Sequence, residues 1–233
     1  MSWFAMPAAL SFAERFERNF VEADRWMQLV DGLKITLWVS LLAVLLGIVL
    51  GVLLALMRLS RFKPLSFLAG MYIDIVRGTP VVVQLMIFYF VLLGPHTSLD
   101  KVYIGAIAFG CNSGAYVAEI VRAGILSVDH GQMEAGRSLG MTQVMTMRYV
   151  ILPQAFKNIL PALGNEFVTI IKESSICSVV GVFELMYMSD MVRAAIARPF
   201  EPLLVVALLY FCITFPLSKL MGALERRMKR GES

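Results

Sequence analysis

The sequence predicts an all-α membrane protein of five transmembrane helices, with the N-terminus outside and the C-terminus in the cytoplasm. Three observations carry this expectation. Of the 233 residues, 58% are hydrophobic and only 16% charged, whereas a soluble domain carries about a quarter charged residues. The apolar residues gather into runs as long as a bilayer core is thick. The basic residues crowd the connections on one side of those runs. A net charge of +4 invites a nucleic-acid reading, but that needs a basic stripe on one folded surface, and here Lys and Arg are scattered between apolar segments. Cys111, Cys177 and Cys212 lie far apart in apolar surroundings, which suits small buried hydrophobes and gives no disulfide framework. His96 and His130 are expected in loops and cannot assemble a zinc site, so no metal ligand is expected.

Taken in order, residues 1–34 read as an extracytoplasmic segment. Its charges (Glu14, Arg15, Glu17, Arg18, Glu22, Asp24, Arg25) fall where a cleaved leader needs an apolar core. Phe12, Phe16, Phe20, Trp26 and Val30 recur at roughly helical spacing, as in an amphipathic helix at the outer interface or an arm for an external partner. The first span, Ile35 to Met57, holds no charge, and as a helix it is about 35 Å long. Gly47 and Gly51 give it a small-residue face. The second, Pro64 to Gly94, is too long for one straight span and is broken at Gly78-Thr79-Pro80. Asp74 and Arg77 stand three apart in its first half, so a pair on one helix face is expected. The third span runs from about 102 to 123, the fourth from about 159 to 183 and the fifth from about 200 to 224. Short loops at 94–101 and 184–199 and a long one at about 124–158 join them.

Loop charge sets the orientation. One side carries Arg58, Arg61, Lys63, Arg122, Arg137, Arg148, Lys157, Lys219, Arg226, Arg227, Lys229 and Arg230; the other has Arg15, Arg18, Arg25, Lys34, Lys101, Arg193 and Arg198. The richer side is cytoplasmic, which places the long loop and the C-terminus inside.

That long loop contains Glu134-Ala135-Gly136-Arg137-Ser138-Leu139-Gly140 and, later, Val150-Ile151-Leu152-Pro153. Physically it is a short helix with a small-residue face (Ala135, Gly136) that another backbone can approach. Its charges are free to pair, Gly140 stops it, and Pro153 opens the next element. The spacing resembles the "EAA" loop of permease subunits in binding-protein-dependent ABC importers, through Glu134, Ala135, Gly136, Gly140, Val150, Leu152 and Pro153. Gly136 replaces the usual third alanine and Val150 the usual isoleucine. Further segments resemble the polar amino-acid branch of that family. They are Arg77-Gly78-Thr79-Pro80 with Gln84, Asn112-Ser113-Gly114-Ala115-Tyr116 with Glu119, Arg122-Ala123-Gly124-Ile125, Gly131-Gln132, Leu152-Pro153-Gln154-Ala155, Leu160-Pro161, Gly164-Asn165-Glu166-Phe167 and Lys172-Glu173-Ser174-Ser175. The resemblance covers about residues 32–228.

It implies a type I ABC importer permease in a bacterial or archaeal cytoplasmic membrane. Residues 35–225 would form the permease domain, with the coupling loop at about 124–158 and a basic tail at 226–233. It also implies an ATPase dimer docked on Glu134, Ala135, Gly136, Arg137 and Gly140, an extracytoplasmic binding protein, a second permease (the same chain or a sister chain) and a polar amino-acid substrate. No Gly-x4-Gly-Lys-Ser/Thr loop occurs, so no cofactor is expected in this chain, and ATP and magnesium would belong to the ATPase.

The expected substrate pathway follows helical spacing. Asn112, Tyr116 and Glu119 fall on one face of the third span, with Ser113 beside them; Ala106, Gly110, Gly114 and Ala118 form a packing stripe. In the fourth span Asn165, Thr169 and Lys172 repeat the pattern, with Glu166, Glu173 and Ser174 alongside. Ionisable groups in a span face a partner or a watery cavity. Lys172 suits a carboxylate, and Glu119, Glu173 or Asn112 an ammonium; pairing between helices is the alternative for each charge. An ion-coupled carrier and an intramembrane enzyme are rival classes, and neither accounts for the loop pattern.

Overall fold

In the computed structural model, residues 14, 16–21, 24–196 and 200–229 are described; Phe12, Arg198 and Arg230 lie outside them. Every regular element among these residues is helical. In hydrocarbon the backbone must satisfy its own polar groups, and a helix does this within one segment. Helix α1 (Arg25–Arg58) is followed by α2 (Lys63–Gly78), α3 (Val81–Ile87), α4 (Lys101–Leu126), α5 (His130–Ser138), α6 (Gln143–Thr146), α7 (Leu152–Glu173), α8 (Leu185–Ile196) and α9 (Phe200–Lys229).

Helices α1, α4 and α9 are long and apolar enough to cross a bilayer, and the bent pair α2–α3 makes a fourth if counted as one span. α1 starts ten residues before the expected first span and runs unbroken through position 34. α3 continues through a π-helical turn, Phe88–Leu92, and the chain turns by 107° between α2 and this second half. Pro80 is the reason: it lacks an N–H and fixes its own φ, so Thr79 is extended and the helix restarts beyond it. The fourth expected span corresponds to α7, which begins at Leu152 with Pro153 in its first turn and ends at Glu173, where a 3-10 turn (Ser174–Val180) continues the chain. The interval 184–199, expected to be a loop, contains α8. His130 opens α5 rather than lying in a loop.

The molecule is organised around α4. Its stripe of small residues meets the small face of α1, and each glycine receives a side chain of the other helix. A Cβ on Gly47 would stand 2.8 Å from Ser113 Oγ, and one on Gly51 2.5 Å from Val117 Cβ; on Gly110 it would meet Leu46 at 2.6 Å and on Gly114 Leu50 at 2.8 Å. Leu54, Ala55, Ala69, Ile73, Ala115, Ala118 and Ile159 extend this core at one end. Val39, Ala43, Leu85, Phe109, Ile170 and Cys177 fill the other. A third cluster gathers Phe20, Leu29, Leu185, Val192 and Val206, with Phe16 stacked on Phe20 at 4.8 Å. Trp26 and Val30 of the same aromatic pattern are exposed. Of the cysteines, Cys177 is buried, Cys111 half-buried and Cys212 exposed on α9.

Candidate functional site

The long connection is stitched into a defined shape. Asp129 caps α5 by accepting from Gly131 N–H at 2.7 Å. At the other end Gly140 takes φ +83°. Its N–H donates to Arg137 O, and Met141 N–H donates to Gly136 O, both at 3.1 Å. This is the Schellman arrangement, with the glycine at the left-handed position. Gly136 is buried, and a Cβ there would come 2.6 Å from Thr146 Cγ2. The close approach that its small size permits is therefore to the chain's own α6, while Ala135 remains exposed. Glu134 is exposed and faces His130 Nδ1 at 3.3 Å; Arg137 Nη1 donates to Met141 O at 3.3 Å. Gln154 Nε2 donates to Gln132 Oε1 at 3.4 Å, and Asn158 Nδ2 to Ser127 Oγ at 2.9 Å, tying the connection to α7. Leu139 and Val144 stand far out of the fold, 84% and 75% exposed.

The polar residues of α4 divide between two neighbours. Asn112 Nδ2 donates to Gln84 Oε1 at 3.2 Å. The Gln84 amide in turn donates to Val76 O at 2.7 Å, which also receives Thr79 N–H at 3.4 Å, and to Thr79 O at 3.0 Å, both beside the Pro80 break. One turn on, Arg77 lies over the Tyr116 ring at 5.3 Å from its centroid. Arg77 Nη1 is 3.8 Å from Glu119 Oε2, and Arg122 binds the same carboxylate at 2.8 Å. The expected Asp74–Arg77 pair does not form: the guanidinium turns to α4 across the helix interface instead of along its own helix. Ser113 takes the other direction, donating to Glu166 Oε1 on α7 at 2.9 Å. So Asn112, Tyr116 and Glu119 form one line against α2–α3, while Ser113 and Glu166 bridge to α7.

On α7, Asn165 is exposed and lines a cavity of about 240 Å3 with Lys157, Asn158 and Glu225. Thr169 donates to Asn165 O at 3.1 Å. Lys172 is exposed, Glu173 half-buried, and Ser174 fully buried with its hydroxyl donating to Ile171 O at 2.8 Å. The elbow of α2–α3 encloses about 260 Å3 of nearly apolar space lined by Tyr72, Val76, Gln84, Phe88 and Cys111. Tyr72 donates to Cys111 O there at 2.9 Å.

Sequence reasoning missed Glu184. It opens the interval 184–199, expected to be a short loop, yet it is 0% exposed. Its carboxylate caps α8 by accepting from Met186 and Tyr187 N–H at 2.8 Å each. It also accepts from Tyr210 on α9 at 3.1 Å and from Thr36 on α1 at 3.5 Å. The available signal was a carboxylate followed by a helical pattern; the partners on α1 and α9 leave no local trace.

Comparison with known proteins agrees with this architecture. The profile of the family described as "binding-protein-dependent transport system inner membrane component" matches residues 47–230. The probable glutamine ABC transporter permease protein of Bacillus subtilis (strain 168) is 40% identical over 207 residues, 89% of this chain and 96% of that protein. The arginine transport system permease protein of the same organism is also 40% identical, covering 88% of this chain and 94% of its own length. A solved structure described as an amino acid ABC transporter with histidines superposes with a TM-score of 0.85 at 44% identity, covering 94% of this chain and 99% of that one. The chain belongs to the inner-membrane-component family of binding-protein-dependent transport systems. It is a membrane-embedded transport subunit with the type I importer permease fold, not an enzyme, and ATP hydrolysis belongs to a separate subunit.

Proposed function

We propose that this chain carries a polar amino acid into the cytoplasm across a bacterial or archaeal inner membrane, as one of two permease copies in the importer. The observation that carries the reading is the capped, exposed helix α5 on a chain about 40% identical to permeases named for glutamine and arginine. Glu134, Ala135, Arg137 and the Gly140 turn would seat in a cytoplasmic ATPase that binds ATP and magnesium. Gly136 would set the angle of the helix through Thr146. Closure of the ATPase pair would push on α5, and its ties to α7 would pass the movement to the bundle, switching access from one side to the other. The pathway would follow α4 through Asn112, Tyr116 and Glu119, with Asn165, Thr169, Lys172 and Glu173 on α7. Ser113 and Ser174 would support it from within.

Reconstitution tests this directly. Proteoliposomes holding this chain, its ATPase and its binding protein should take up a labelled L-amino acid only with ATP on the ATPase side. Uptake that persists without ATP and collapses with the ion gradient would overturn the reading in favour of a secondary carrier.

A further inference from the structure

Within the α2–α4 line, positive charge exceeds negative around Glu119, and one of its arginines makes no hydrogen bond to it. Glu119 is satisfied by Arg122, which holds both oxygens, Nε to Oε1 at 3.0 Å and Nη2 to Oε2 at 2.8 Å. Such a two-point grip is the strong form of a guanidinium–carboxylate pair. Arg77 Nη1, at 3.8 Å from Oε2, is beyond hydrogen-bond distance. Its five N–H donors thus stay unspent on described groups, although they lie beside a helix that is mostly buried. Its side chain is nevertheless 42% exposed, and it lies over the Tyr116 ring at 5.3 Å from the centroid. Arg122 is taken up by Glu119, while Arg77 stands beside that pair without a hydrogen-bonded partner of its own among the described residues, and Arg58 adds a further positive charge within reach of Glu119. A charge at such a place is costly unless it meets a partner or a watery cavity.

We propose that Arg77 takes the α-carboxylate of the amino acid during passage, with Tyr116 and the Glu119–Arg122 pair as its positioning residues. This rests on the reading of α4 as the pathway. Lys172, the cation that helical spacing singles out, lies on α7 beside Glu173 with no ring to orient it. Arg77 lies over a ring, touches Glu119 only at ion-pair distance and is open on one side, and a planar fork matches a carboxylate as an ammonium does not. Because every amino acid carries this group, the site captures substrate without reading its side chain.

The test uses the reconstituted complex with its ATPase and binding protein. The twenty proteinogenic amino acids and cystine are offered first, to find those the wild-type complex takes up. The α-carboxamide of a transported amino acid is then used as competitor. In the wild type the carboxamide should compete poorly. In Arg77→Gln the KM for uptake should rise about tenfold to a hundredfold, the range expected for a lost charged hydrogen bond, and the preference over the carboxamide should disappear. Arg77→Lys, which keeps the charge without the fork, should fall between. Co-purification of each variant with the ATPase checks folding. An Arg77→Gln or Arg77→Lys complex with wild-type KM and undiminished preference overturns the proposal. If Asn112→Leu and Tyr116→Ala also leave transport unchanged, the pathway reading falls with it. If those two impair uptake while Arg77 variants do not, only the carboxylate assignment falls.

Discussion

Helices α4 and α9 have opposite relations to the fold. The apolar stretch of α4 is 72% buried, while that of the more apolar α9 is 6% buried. In water the more apolar helix would be the more buried; in a bilayer hydropathy marks contact with lipid, and burial is marked by small residues. α4 carries Gly105, Gly110, Gly114 and four alanines in its first eighteen residues, and α9 exposes Leu204, Leu208, Phe211, Phe215 and Leu220. What holds α4 is shape: Leu46 and Leu50 enter the spaces over Gly110 and Gly114.

Breaking that contrast should cost most. Gly114→Leu would force a side chain into Leu50, and a loss of about 3 kcal/mol or more is expected, read as a lower melting temperature of the detergent-solubilised complex. Next comes the Glu184 junction, where α9 meets the interior. Glu184→Leu strands two N–H groups and the Tyr210 hydroxyl, for about 2–3 kcal/mol, and Glu184→Gln should recover part of it in the same melt. Gly140→Ala should cost about 1–2 kcal/mol locally, because φ is +83° there. Space is open around this glycine, so Gly140→Asn should be the milder change, and ATPase co-purification would rank the two. At the smallest end, Leu208→Ala on α9 should move the melting temperature within the range of about 0.5 kcal/mol. A large loss there would mean that a protein surface covers α9 in the assembly.

Much of this was legible in the residues. The Gly78-Thr79-Pro80 break, the stop at Gly140 and the glycine faces of α1 and α4 are local chemistry, and local chemistry is written in consecutive letters. What could not be read was pairing over distance. Arg77 had a carboxylate three residues away in Asp74 and chose Glu119, 42 positions on, because helix packing placed it nearer. Gln84 gave no sign that it would repair the Pro80 break and anchor Asn112. Gly136 reads in sequence as part of a small face, and the fold shows that its small size admits Thr146 of α6. The candidate pathway was similarly half visible: helical spacing aligned Asn112, Tyr116 and Glu119, but only the fold shows Ser113 turning away to Glu166.

The fastening of α5 has a mechanical consequence. Capped at both ends, pressed on Thr146 and bonded onward from Gln132 to Gln154, the segment has little slack in which a displacement could be absorbed. A push on its outer face would be passed to α6 through Thr146 and toward α7 through Gln154 rather than taken up by a loose end.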